Sequence, residues 1–205
     1  VVQQNKSIHL TDDQLYQKLD DLETKRSRLI DLGLLNQDEG SEFQQPPSID
    51  ETTKNILSVY VEDMEKKLGV FDDIENKINL LSKIINKKFA YSYKKIGFSK
   101  DQGFVFTSCY TPSLSETKTL SPTELSSGEQ HELVLLYELL FKVEPDSLVL
   151  IDEPELSLHV GWQVEFLKDL QEITKLAKLD ILMATHSPDL IQDRWDLTVE
   201  LKGPR

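Results

Sequence analysis

Leu125-Ser126-Ser127-Gly128-Glu129-Gln130 opens the stretch that decides the fold, and Asp180 to Pro188 closes it. After Gln130 comes a nearly all-apolar helix, Leu133 to Phe141. An apolar strand follows, Leu148-Val149-Leu150-Ile151, and ends abruptly in Asp152-Glu153-Pro154. A second strand, Asp180 to Thr185, delivers His186 at its C-terminal tip in Ala184-Thr185-His186-Ser187-Pro188. The order is helix, strand, helix, strand, with a further strand expected at Leu197 to Leu201. Alternation of this kind marks βαβ crossovers and predicts an α/β fold with a mostly parallel sheet. The strand Leu148 to Ile151 has no polar alternation, which predicts helices over both of its faces.

Each polar group in this stretch falls where ligands bind. A buried strand that ends in two carboxylates puts both at the carboxyl edge of the sheet. There, one carboxylate can hold Mg²⁺ while the other polarises a water. A structural strand end tied by a salt bridge is the plainer reading, but two adjacent carboxylates repel and a divalent cation relieves that cost. A helix starting at Ser126 to Gln130 presents free amides and the positive end of its dipole to a phosphate. Alone it would read as a capped helix. Ser126 can donate a hydroxyl, and Gly128 lets an oxyanion approach the backbone. The imidazole of His186 can hydrogen-bond a terminal phosphate.

Upstream, the signals are helical. Thr11 with Gln14 resembles a capping box, and Leu15, Leu19, Leu22 and Leu29 share one face of the helix that follows. Arg26 falls on that seam, and Gly33 can stop the helix. Gln37 to Ser48, with Gly40 and Pro46-Pro47, reads as a loop. A second helix is expected from about Asp50 to Leu68 with Ile56, Tyr60 and Met64 turned inward. A third starts near Asp72 and carries Ile74, Ile78, Leu81 and Ile85. Together they predict an antiparallel arm or bundle over residues 1–89, ahead of a lobe over 90–205. Phe89, Tyr91, Tyr93 and Ile96, then Phe104 to Phe106, read as two short strands, with Tyr110 to Thr123 a loop.

Composition narrows the class. With 39% hydrophobic and 29% charged residues, the chain reads as an ordinary globular protein. A formal net charge of −13 argues against a surface that grips nucleic acid throughout. Lys87, Lys88, Lys94, Lys95 and Lys100 crowd together and could touch phosphate, although a solvated face is the simpler account of them. The single cysteine, Cys109, excludes an internal disulfide and suits a reducing cytoplasm. Neither a membrane-spanning run nor a signal-peptide core is expected.

At this point a family is recognisable. Leu125 to Gln130 resembles the ABC-type signature sequence, and Leu148 to Glu153 resembles a Walker B strand with its catalytic glutamate. Leu156-Ser157-Leu158-His159 is similar to a D-loop, and His186 to the switch histidine. The wording LSSGEQ, LVLIDEPELSLH, ATHSPDLI resembles the RecF/SMC/OLD-like, AAA-ATPase-like branch more than the membrane transporters. The resemblance implies a P-loop NTPase fold of ABC type, here its C-terminal lobe, preceded by the helical arm. It implies ATP and Mg²⁺ as cofactors. Asp152 would coordinate the metal, Glu153 would activate water and His186 would contact the γ-phosphate. Ser126, Ser127, Gly128, Glu129 and Gln130 would meet ATP held by a second ABC-type subunit, and Ser157 and His159 would line that dimer interface.

One major part is missing. No Gly-x-x-x-x-Gly-Lys-Ser/Thr occurs in the chain, and that loop supplies the amide cradle and lysine for the β- and γ-phosphates. The expectation is therefore half a site: the C-terminal part of a cytoplasmic ATPase whose Walker A lobe lies elsewhere. DNA repair, chromosome maintenance or phage defence would be its setting, with DNA or an effector nuclease as partner. A non-catalytic module that completes or recruits another ATPase is the rival reading. A toprim-type nuclease has little support, since it would need an acidic-cluster domain beyond the switch region and none is expected here.

Overall fold

The computed structural model describes residues 11–36, 50–99, 101–110, 118–156 and 158–201. Residues 1–10, the loop expected at 37–48, Lys100 and Ser157 lie outside the described residues. The chain divides into two compact units, Val1–Glu75 with Phe98–Gly103, and Asn76–Gly97 with Phe104–Arg205.

In the first unit, helix α1 (Asp12–Asp31) starts at a complete capping box. Thr11 Oγ1 accepts from the Gln14 amide at 3.3 Å, and the Gln14 side chain accepts from the Thr11 amide at 3.0 Å. Both otherwise unpaired donors are thereby satisfied. Gly33, with φ +68°, breaks the helical path just beyond the end. Helix α2 (Glu51–Gly69) is capped by Asp50, whose carboxylate accepts from Thr53 N at 2.9 Å.

Leu15, Leu19, Leu22 and Leu29 are buried on α1, against Leu57, Val61 and Leu68 of α2. Each buried leucine contributes on the order of 1.5–3 kcal/mol. The inward face of α2 is therefore displaced from the expected one: Ile56 is 65% and Tyr60 43% exposed, while Met64 does pack against the core. The helices also run parallel, not antiparallel. Lys54 pairs with Asp12 and Lys18 with Glu65, so contacts advance together along both.

Helix α3 (Asp72–Phe89) is shared: its first turn belongs to the first unit and its remainder to the second. In the second unit, Leu81, Ile84, Ile85 and Phe89 of α3 join a core with Ile96, Phe106, Leu136, Leu140 and Phe166. Phe89 ends a helix and Tyr91 sits in a 3-10 turn (Ala90–Ser92), so neither lies in a strand. Three strands then form one sheet, β1 (Lys94–Ser99), β2 (Gly103–Ser108) and β3 (Lys118–Leu120). The last, expected to be loop, pairs antiparallel with β2, Phe106 opposite Leu120.

Helix α4 (Ser127–Phe141), strand β4 (Leu148–Asp152), helix α5 (Val160–Ala177) and strand β5 (Asp180–Ala184) follow, with α4 against α5. A short helix, α6 (Pro188–Ile191), packs on α5. Strands β4 and β5 are parallel, in register from Leu148 with Asp180 to Asp152 with Ala184. Two expectations fail here. Among the described residues the parallel sheet has two strands, because Trp195–Leu197 is a 3-10 turn and Val199 and Leu201 are almost fully exposed. Only one face is covered: Val149, Ile181 and Met183 pack on the core, whereas Leu148, Leu150 and Leu182 are 63%, 70% and 63% exposed. No described helix is long and apolar enough to cross a membrane.

Candidate active site

The parallel pairing of β4 and β5 ends both strands at one edge. Asp152 lies opposite Ala184, and the Glu153 amide extends the ladder by donating to the Ala184 carbonyl at 2.9 Å. Glu153 then adopts φ +45°, a left-handed conformation that costs a side-chain-bearing residue about 1–2 kcal/mol. That turn, closed by Leu156 N donating to Glu153 O at 3.1 Å, swings the chain off the strand. The Glu153 carboxylate consequently lies 3.5 Å from His186 Nε2, at the tip of β5. His186 is 90% exposed and Glu153 39%, so the pair faces solvent. Asp152 is exposed beside them. Strain of this kind concentrates where a side chain must be aimed.

Glu155 closes the rim from behind. Its Oε1 accepts from the Thr185 hydroxyl at 2.8 Å and from the His186 amide at 2.9 Å. Partial burial pushes its carboxyl up, but the backbone amides and the Thr185 hydroxyl outweigh this and hold it below the usual carboxylate range. His159 caps α5, its Nδ1 accepting from the Gly161 amide at 3.2 Å.

The helix start at Ser126 is a second group of residues. No hydrogen bond or ion pair among the described residues joins it to Glu153 or His186. Ser126 is the N-cap of α4: its Oγ accepts from Glu129 N at 3.3 Å, and Glu129 returns a bond from Ser126 N at 2.7 Å. Glu129 is buried and also accepts from the Ser92 hydroxyl and, at 2.7 Å, from Lys94 Nζ. Gln130 donates to the carbonyls of Pro122 and Leu125, both at 3.0 Å. These two side chains hold the turn together. The groups left facing solvent are Ser126 and Ser127, with Gly128 half-exposed, and among the described residues the Ser127 and Gly128 amides meet no acceptor.

Burial pushes the Glu129 carboxyl up, yet Lys94, Ser92 and the Ser126 amide together hold it below the ordinary range. A carboxyl depressed in the folded state contributes stability above its unfolded pKa and loses it as pH falls through the folded value. Glu129→Gln is expected to lower stability at neutral pH by about 1–3 kcal/mol. It should also flatten the acid limb of a plot of melting temperature against pH; a limb as steep as the parent's would show that Glu129 does not titrate with folding.

Sequence reasoning overlooked Glu155 and Ser92 as parts of these sites, and took Lys94 as one of a lysine group and not as the partner of Glu129. The Ser-x-x-Glu spacing of Ser126 and Glu129 carried the signal for an inward-turned Glu129; Glu155 had none, because its partners come from the loop after β5. The lysine group is dispersed: Lys88 is fully buried, Lys87 pairs with Glu165 and Lys94 with Glu129.

A family model described as "AAA domain, putative AbiEii toxin, Type IV TA system" matches residues 4–192. The chain belongs to this AAA-domain family. No curated protein matches it. Among solved structures, it is similar to the Smc head domain with an extended coiled coil bound to the C-terminal domain of ScpA, from Pyrococcus furiosus. Identity is 14% and the TM-score 0.33, over 88% of this chain and 48% of that one. The AAA domain described here thus spans about half the length of that relative.

The residues of this AAA domain suit a nucleotide and its cation in part. Mg²⁺ bound with phosphate usually takes one or two protein carboxylates, which Asp152 can supply. Among the described residues no cluster of three metal-binding side chains exists to hold a cation without phosphate oxygens.

Proposed function

We propose that this AAA domain is the C-terminal portion of an ABC-type ATPase that hydrolyses ATP in a nucleotide-sandwich dimer. The reading rests on one observation, the 3.5 Å approach of Glu153 to His186 at the shared end of β4 and β5. Glu153 is the general base that takes a proton from the attacking water, and His186 donates a hydrogen bond to the terminal phosphate. Asp152 is the metal ligand. Ser126, Ser127 and Gly128, open to solvent at the start of a 15-residue helix, contact the γ-phosphate of a nucleotide held by the second subunit. His159 lies along that interface.

The bare face of β4 and β5 supports a further lobe. Parallel sheets occur almost only with both faces covered, and Leu148, Leu150 and Leu182 leave this one uncovered. A Walker A-bearing lobe, in the same polypeptide or a separate one, would supply strands, a covering helix and the phosphate cradle. Supplying that lobe is expected to yield Mg²⁺-dependent release of phosphate from ATP; a stable assembly that binds ATP without turnover would overturn the reading. Leu150→Glu with Leu182→Lys, given opposite charges because the two stand opposite each other in the register, should abolish assembly while changing this chain's own stability by no more than about 1 kcal/mol, as exposed positions do. Unimpaired assembly would show that another surface is used.

The family description, naming a toxin of a toxin–antitoxin system, favours a defence role over DNA repair or chromosome maintenance, acting on DNA or with an effector nuclease. The second reading is a non-catalytic module that completes a partner's ATPase, and the unpartnered sheet face favours it equally. Glu153→Gln separates the two, since only a catalytic half-site loses turnover through that substitution.

A further inference from the structure

We infer that Glu155 is a positioning residue, whose carboxylate ties the loop after β4 to the loop after β5 and so sets His186 opposite Glu153. The inference deepens the ATPase reading and rests on it for its consequence, although not for its geometry.

His186 stands on a loop, and its imidazole is almost wholly in solvent, so its own packing does little to fix it. What holds it is at its backbone. One oxygen of Glu155 receives both the His186 amide and the Thr185 hydroxyl. The same Thr185 oxygen receives the Ser187 amide at 3.0 Å, and the Ser187 hydroxyl donates to Gln163 Oε1 at 2.8 Å. Three consecutive residues of the switch loop therefore trace to Glu155 directly or through one atom. Glu155 in turn is fixed two residues after Glu153 by the turn that the left-handed Glu153 begins. Water activation and phosphate contact must be held in register to a fraction of an ångström, and a misplacement of about 1 Å can cost a hundredfold in rate. A carboxylate accepting from a charged or backbone donor makes a stronger bond than a neutral acceptor would. Among the described residues the second oxygen, Oε2, is buried without a hydrogen-bond partner, so the hydrogen bonds of this carboxylate run through Oε1.

The test compares Glu155→Ala with Glu155→Gln, which keeps an oxygen able to accept both bonds. In the 205-residue chain, hydrogen exchange at the His186 amide should speed up by about tenfold or more in Glu155→Ala and remain near the parent rate in Glu155→Gln. In the protein completed by its Walker A lobe, kcat should fall by about 10- to 100-fold in Glu155→Ala with KM nearly unchanged, and Glu155→Gln should restore most of it. Unchanged exchange in Glu155→Ala, or an equal loss of kcat in both variants, would overturn the inference. If the parent assembly shows no turnover at all, the ATPase reading fails. In that case exchange alone decides: faster exchange in Glu155→Ala together with parent-like exchange in Glu155→Gln still supports the positioning role, and any other pattern removes it.

Discussion

Glu153→Gln in the assembled ATPase is expected to reduce turnover by about 10²- to 10⁴-fold, the usual contribution of a general base, while ATP binding persists. Glutamine has the shape of glutamate and can still bond His186 across the 3.5 Å gap, but it cannot take a proton from water. Nucleotide would then accumulate in the closed dimer, visible as a dimer peak that depends on ATP in size-exclusion chromatography. Turnover within threefold of the parent would remove Glu153 from the mechanism. A companion substitution separates catalysis from folding. At φ +45° glycine adopts the backbone without strain, so Glu153→Gly should raise the unfolding free energy by on the order of 1 kcal/mol while abolishing turnover. Lost activity with gained stability is the mark of a residue held in strain for function.

That strain lies beyond what the sequence tells. Asp152-Glu153-Pro154 marks a strand end, and the capped helices α1 and α4 can be read from Thr11 with Gln14 and from Ser126 with Glu129. These signals are local: a cap satisfies its own turn whatever surrounds it. The register of α2 is different. That helix carries two apolar stripes, Ile56-Val59-Tyr60 and Leu57-Val61-Met64-Leu68, and periodicity alone ranks neither above the other. The side on which α1 lies selects the second. The direction of α2 relative to α1 was equally hidden, since helical patterning has no sense of up or down. Likewise, Leu148 to Ile151 is apolar on both faces, but its sequence does not say whether the covering for each face comes from this chain. Leu197, Val199 and Leu201 alternate as a strand would, yet no neighbouring strand edge receives them among the described residues.

Lys88 was the least legible residue and supports the second large prediction. In sequence it is one of a run of lysines. In the fold it is 1% exposed, in contact with Glu132 of α4 and 2.9 Å from Asp169 of α5, with its ammonium over the Phe166 ring. Three helices of the second unit thus meet at one buried cation and two buried carboxylates. The Coulombic gain is large only because water is excluded, and for the same reason removing one partner leaves the others stranded. Lys88→Met keeps the volume of the stem but leaves Glu132 and Asp169 facing each other unneutralised. A loss of about 3–5 kcal/mol is expected, read from urea unfolding followed by the buried Trp162. Glu132→Gln should cost far less. Desolvation drives the Glu132 carboxyl above its ordinary range against the pull of Lys88, and in the variant Asp169, 2.9 Å from Lys88, remains to balance the lysine. Equal losses in Lys88→Met and Glu132→Gln would mean that the cluster works as ordinary buried volume, with no special role for its charges.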